Sequence, residues 1–160
     1  MSKTITHELS YDAPIDAVTA MLADPAFREE VCRYQRCVRY DVAIDVSGET
    51  KKVRIDQWQP TKGMPSFAKK IVGEETNVVQ EETWTSPTHG DLKMSIPGKP
   101  GDMSGTASIA ESGVGTVETV TLTVKVNIPL VGGKLEGLIA DLLLKALKAE
   151  NKVGRDYLSR

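Results

Sequence analysis

The segment from Val117 to Leu158 constrains the fold more than any other part of the chain. Val120, Leu122, Val124, Val126 and Ile128 alternate with Thr119, Thr121, Thr123, Lys125 and Asn127, the period-two pattern of a strand whose sheet is covered on one side only. A strand is therefore predicted over 117–128. After the Pro129–Gly133 junction, Leu135, Leu138, Ile139, Leu142, Leu143, Ala146, Leu147, Glu150, Val153 and Tyr157 recur at steps of three and four. They form one stripe along a helix of about 35–40 Å, at ~1.5 Å per residue. The bare sheet face needs a cover, and this helix is long enough to supply it. Lys145, Lys148, Lys152 and Arg155 also give the helix a locally basic, amphipathic character, as interfacial helices have, but packing on the sheet is the better use of the stripe.

The rest of the chain supplies the sheet. Ile5, His7, Leu9 and Tyr11 alternate in an opening strand over 3–11. Asp12 and Pro14 then mark a helix start, with Asp12 as the cap, and Asp24-Pro25 both ends that helix and begins a second one reaching Tyr34. Val38, Tyr40, Val42, Ile44 and Val46 alternate with polar residues, Ser47-Gly48-Glu49 turns the chain, and Val53 and Ile55 continue the pattern to Trp58. Pro60 to Pro65 breaks it, and Ser66 to Val72 reads as a short helix capped by Ser66. Further strands are predicted at 76–85, 90–97 and 103–111, separated by Gly- and Pro-containing turns. Short connections favour an antiparallel sheet, and one apolar helix on one apolar sheet face gives a two-layer α+β domain spanning 1–160.

Composition excludes several function classes. The 20 Lys and Arg are scattered among 22 Asp and Glu for a net charge of −2, which leaves no basic field for nucleic acid. The run from Leu138 to Leu147 is broken by Asp141 and Lys145, too short and too charged to insert stably in a membrane, and the first residues lack a signal-peptide apolar core. A cytoplasmic location is expected. Cys32 and Cys37 match neither a redox nor a zinc spacing and are expected to be packed, reduced thiols. His7 and His89 are not brought together by any motif, so no metal ligand set and no cofactor is assigned, nor is a catalytic residue. Gly132-Gly133-Lys134 lacks the remaining residues of a phosphate loop. Among the carboxylates, Asp56, Glu82 and Asp141 are the candidates for an inward acid or base, although a solvated position is the ordinary reading of each.

The paired helices of 12–34 after the first strand and the Ile128-Pro129-Leu130-Val131-Gly132-Gly133 junction feeding the terminal helix resemble the START-like, or helix-grip, superfamily over essentially the whole chain. Met64-Pro65-Ser66-Phe67 and Glu82-Thr83-Trp84 look like a bacterial START-like family of no assigned function. The resemblance implies a curved antiparallel sheet of about seven strands wrapped around the long C-terminal helix. Between them it implies a cavity for an apolar small molecule such as a lipid or polyketide. Trp58, Met64, Phe67, Trp84, Met94 and Met103, at strand ends and irregular loops, are the candidate ligand contacts, together with Leu138 and Leu142 from the helix. Only eight aromatic residues occur (two Trp, four Tyr, two Phe), so two Trp at strand ends stand out, and Met suits a pocket of adaptable shape. Met64 and Phe67, with the Gly98–Gly101 loop, are placed at the entrance. The leading reading is a non-enzymatic carrier or sensor with a cavity of about a few hundred Å³. The alternatives are a cyclase-, aromatase- or hydrolase-type enzyme using the same cavity, and an interaction module with a filled core. The oligomeric state is not legible in the sequence.

Overall fold

The computed structural model describes residues 2–160. Its elements follow in the order β1 (Lys3–Tyr11), α1 (Ile15–Leu22), α2 (Pro25–Tyr34), β2 (Arg39–Ser47), β3 (Thr50–Pro60), α3 (Ser66–Val72), β4 (Glu75–Ser86), β5 (His89–Ser95), β6 (Asp102–Ser112), β7 (Gly115–Lys125) and α4 (Gly132–Leu158). The seven strands form one antiparallel sheet in the order β1-β7-β6-β5-β4-β3-β2. Each hairpin thus adds a strand beside its predecessor, and the first strand closes against the last. The 27-residue α4 crosses the inner face nearest β1 and β7, with α1 and α2 beside it. This is the helix-grip α+β fold.

Helix starts are where local reading and structure part. Asp24 caps α2 as its sequence predicts, accepting from the Ala26 amide at 2.9 Å, with Pro25 at the first helical position. Asp12 does not cap α1. The cap position is Pro14, without a side-chain bond, and the approach is held by β7, whose Thr116 hydroxyl donates to the Ala13 carbonyl at 2.6 Å. Ser66 likewise does not cap α3, because the helix begins at Ser66 itself, after Pro65.

The strand β7 stops at Lys125, short of the predicted 128, because the next amide is taken by a side chain. Glu136, buried in the first turns of α4, accepts from Val126 N–H at 2.9 Å. A Cβ on Gly132 would come within 2.6 Å of the Val126 carbonyl, so this junction admits only glycine in its present conformation. The second difference concerns β2. Its inward residues Tyr40, Val42 and Ile44 pack with Cys32, Val53 and Ile55 rather than under α4. Because α4 lies toward β1 and β7, α2 covers this edge, and covers it incompletely: Val38 and Val46 remain 49% and 58% exposed.

Candidate functional site

Alternation along the strands sends three charged side chains into the interior. Lys51 shares its face with Val53 and Ile55 on β3, Glu82 with Trp84 on β4, and Glu118 with Val120 and Leu122 on β7, and all three are buried. Arg28 of α2 and Glu150 of α4 meet them from the helical layer.

Arg28 organises the cluster. Its Nη2 donates to Glu82 Oε1 at 2.9 Å and its Nη1 to Glu82 Oε2 at 3.0 Å, a two-pronged pair between α2 and the sheet. Nη1 also reaches Glu150 Oε1 at 3.3 Å, and Nε donates to the Leu22 carbonyl at 3.0 Å. One guanidinium therefore ties together α1, α2, β4 and α4. Glu82 accepts two further bonds, from Gln80 Nε2 at 2.6 Å and from the indole Nε1 of Trp84 at 2.8 Å. The Trp84 ring lies over Gly90, where an added Cβ would approach it to 2.6 Å, and carries the Lys51 ammonium 4.7 Å from its centre.

The protonation states follow from these contacts. Burial works against the Glu82 charge, but Arg28 and the three donors outweigh it and hold the carboxyl below the usual range. Glu150 is pushed up to about 7 by burial, which Arg28 only partly offsets and Glu82 reinforces. Glu118 is raised well above the ordinary range by burial and by its neighbours Glu150 and Glu82. Burial, then the Arg28 charge, lowers Lys51 to about 8. Burial also pushes up the Tyr11 phenol, and Glu150 and Glu118 add to the shift. Burial of Glu118 and Glu150 thus favours their neutral forms, while Arg28 keeps Glu82 charged.

A cavity of about 60 Å³ opens beside this cluster, between the sheet and the α2–α4 layer. Arg28, Glu82, Glu118 and Glu150 form its charged end, Gln35, Gln57 and Gln80 add polar lining, and Ile55, Leu92, Met94, Leu122, Leu143 and Leu147 form apolar walls. It has room for about four water molecules and is smaller than the ~300–1,000 Å³ of pockets for drug-sized ligands. It is also smaller than the sequence-based expectation, because the leucines of α4 and the β5 side chains occupy most of the grip.

The residues singled out in the sequence scatter around this cavity. Met94 lines it, Trp84 supports its charged end through Glu82, and Met103 is buried beside Met94 on the paired strand β6. Leu138, Met64 and Phe67 are half-buried against the same core, with the Lys134 ammonium 5.8 Å from the Phe67 ring centre. Leu142 is 38% exposed, and its neighbour Leu143 takes the inward position. Trp58 lies on the opposite face of β3 from Ile55 and Gln57, stacked 4.3 Å under the Arg39 guanidinium. Of the three carboxylate candidates, only Glu82 joins the cluster. Asp56 accepts from Asn77 Nδ2 at 2.7 Å on the outer face, and Asp141 is exposed. Cys32 lines the cavity and Cys37 is half-buried, both as free thiols. Arg28, Lys51, Glu118, Glu150 and Tyr11 escape a motif search. Parity would have found Lys51 and Glu118, and the apolar stripe of α4 already contains Glu150.

Residues 6–158 match a family described as a protein of unknown function, DUF2505. The chain belongs to that family. An uncharacterised Mycobacterium tuberculosis protein, Rv0481c, is 34% identical over 96 residues, 56% of this chain and 55% of the relative, so the match spans about half the length of each. Among solved structures, the di-domain ARO/CYC BexL from the BE-7585A biosynthetic pathway superposes with a TM-score of 0.70 at 16% identity, covering 99% of this chain and 50% of that one. A START superfamily protein from Mycobacterium smegmatis superposes with a TM-score of 0.58 at 16% identity, covering 94% and 96%. At these identities the likeness establishes the START-like fold of this DUF2505 protein. Among the described residues, no helix is long and apolar enough to cross a membrane.

Proposed function

We propose that this DUF2505 protein binds an apolar small molecule carrying one polar group, as a carrier or sensor, in the cavity between the sheet and α4. The observation that supports this most directly is a cavity with mainly apolar walls that meets the charged cluster at one polar end, with Gln35, Gln57 and Gln80 as further polar lining. Burial of apolar ligand surface, at ~25 cal/mol per Å², supplies the affinity, and the polar end sets the orientation. A cavity of 60 Å³ accepts only the head of a lipid- or polyketide-sized molecule, so the rest is admitted by displacement of side chains. Met94, Leu92 and Leu147 are half-buried unbranched or γ-branched side chains that can move without unpairing a charge. Met64 just before α3, Phe67 of α3 and the Gly98–Gly101 loop form the entrance in this reading, with Met103, Leu138 and Trp84 behind it. The likeness of the fold to a di-domain ARO/CYC of a biosynthetic pathway and to a START superfamily protein supports a small-molecule reading.

Mass spectrometry of organic extracts from the purified protein tests the proposal. A stoichiometric apolar compound, absent from a Met94→Trp variant whose cavity is filled, is the expected result. Its absence, together with no binding of added apolar fluorophores, sinks the reading. An enzyme using the same cavity is the second reading, favoured by one observation: Glu118 and Glu150 are buried carboxyls held above their ordinary range beside the cavity. Turnover of a co-purified compound, lost in Glu150→Gln with binding retained, would select it.

A further inference from the structure

Lysines that are far apart in the chain are gathered at one end of the sheet. Because every strand pair is antiparallel, β3, β5 and β7 finish at the end where β1, β2, β4 and β6 begin. The segments between them at this end are α3 with its flanks (61–74), the β5–β6 loop (96–101) and the β7–α4 junction (126–131). They carry Lys62, Lys69, Lys70 and Lys99, while Lys3 opens β1 and Lys134 lies in the first turn of α4; all six are exposed. None of the six has an ion-pair partner among the described residues. The other charges here largely cancel. Arg39 pairs with Glu75 at 3.4 Å, Asp102 stands opposite Lys125 in the β6–β7 ladder, and Glu136 is buried on the Val126 amide. Glu74 is then the one exposed carboxylate of these segments left to face six lysines.

The other end of the sheet is built differently. Its turns and strand ends carry Asp12, Glu49 and Glu111, and the cations that α4 brings there are engaged. Lys152 meets Asp156 at 3.0 Å, Arg160 meets Glu30 at 2.6 Å, and Arg155 donates to the Ser10 carbonyl at 3.1 Å. A chain of net charge −2 thus presents one cationic end.

That end also has an apolar tip. Leu130 is fully exposed and held at φ 72°, in a turn closed by the Val131 amide on the Pro129 carbonyl and the Gly132 amide on the Ile128 carbonyl, both at 2.9 Å. Positive φ disfavours a leucine, and full exposure gives it no packing within the chain in return. A cationic patch alone suits any polyanion. A leucine at its tip suits one whose charged surface overlies hydrocarbon.

We propose that this end of the molecule docks on an anionic lipid bilayer, with the six lysines facing the headgroups and Leu130 entering the acyl boundary. Met64 and Phe67 lie within the docked end, so under the small-molecule reading the entrance opens toward the bilayer; the docking surface itself does not depend on that reading.

Cosedimentation of the full chain with vesicles tests this, phosphatidylcholine alone against phosphatidylcholine mixed with phosphatidylglycerol. At low salt the anionic vesicles should be bound at least tenfold more tightly than the neutral ones, and high salt should abolish the preference by screening. Lys69→Gln with Lys70→Gln should weaken binding several-fold. Lys52→Gln with Lys93→Gln removes the same charge from exposed positions on β3 and β5 away from this end, and should leave binding unchanged. Leu130→Asn, which tolerates the same φ, should weaken binding several-fold at an unchanged melting temperature. Equal binding of the two vesicles, binding of neither, or an equal loss in both double variants overturns the docking surface. So does tighter binding of a DNA duplex than of anionic vesicles, unaffected by Leu130→Asn, which assigns the lysines to nucleic acid. Fluorophore titration without vesicles reads the small-molecule proposal separately. Vesicle binding without fluorophore binding sinks the carrier and leaves the surface, and the reverse result sinks the surface alone.

Discussion

The two halves of the interior are built on opposite rules. Toward Trp84 and α1, Arg28, Glu82 and Glu150 are fixed by directional bonds that tie four elements together, with Lys51 and Glu118 buried beside them. Toward α3, Met94, Met103, Leu138, Phe67 and Leu143 pack by contact alone. An ion-paired half tolerates little movement, because separating one partner leaves a bare charge in low dielectric. A contact-packed half can exchange one apolar neighbour for another at small cost. The difference suggests a division of labour, with the charged half as a fixed anchor and the apolar half as the part that yields to a ligand.

The sharpest way to break this comparison is to remove its keystone. Arg28→Ala should destabilise by about 3–5 kcal/mol in denaturant titration, since it leaves Glu82 and Glu150 without their counter-charge; a loss below about 1 kcal/mol would show that the anchor is not ionic. Next in size, Leu143→Ala should cost about 2–4 kcal/mol through the void it leaves between sheet and helix. Phe67→Ala should weaken an apolar fluorophore by roughly 1–3 kcal/mol with a smaller effect on folding. If it lowers stability by that amount and leaves the fluorophore unaffected, α3 is core and not entrance.

A pH scan sharpens the same comparison. Glu150 sits at about 7 in the folded chain against 4.5 in an unperturbed one, so the native state holds an extra proton between these values. Its favourable contribution is complete below pH 4.5 and is lost as pH rises through 7, and Glu118 acts in the same sense. Glu82 acts oppositely, because its stabilisation is lost as pH falls through its lowered value. The melting temperature should therefore decline by a few degrees, at about 2–4 °C per kcal/mol, between pH 5 and 7.5, and Glu150→Gln should flatten that slope. An unchanged slope in the variant would remove Glu150 from the titrating set. The smallest effect belongs to Leu142→Asp. At 38% exposure it should cost under about 1 kcal/mol, well below the several expected of a residue buried in the grip.

Leu142 also shows how far a helical stripe can be read. Ten positions at steps of three and four identify α4 and its apolar side, but a stripe wider than the contact it makes does not say which leucine is central. The path of α4 over β1 and β7, set by the Gly132 junction and by Glu136 on the Val126 amide, rotates Leu143 inward and Leu142 toward solvent. Trp58 teaches the same for strands. It follows Gln57, whose side faces the interior, so it takes the outer face, although an aromatic residue near a strand end invites the opposite reading.

The sequence by itself determined the strand and helix order, the Asp24 cap and the side of each strand that is covered, because these depend on spacing and on groups within a turn of one another. It also carried more of the site than motifs reveal, since parity alone turns Lys51 and Glu118 inward. What only the tertiary structure decided is which inward charges meet. Arg28, Glu82, Glu118 and Glu150 come from α2, β4, β7 and α4, and Arg28 and Glu150 lie 122 positions apart in the chain. No local pattern encodes such a pairing. It is fixed by the curvature of a seven-stranded sheet that brings its two halves around one helix, and by the cost of burying any one of those charges without the others.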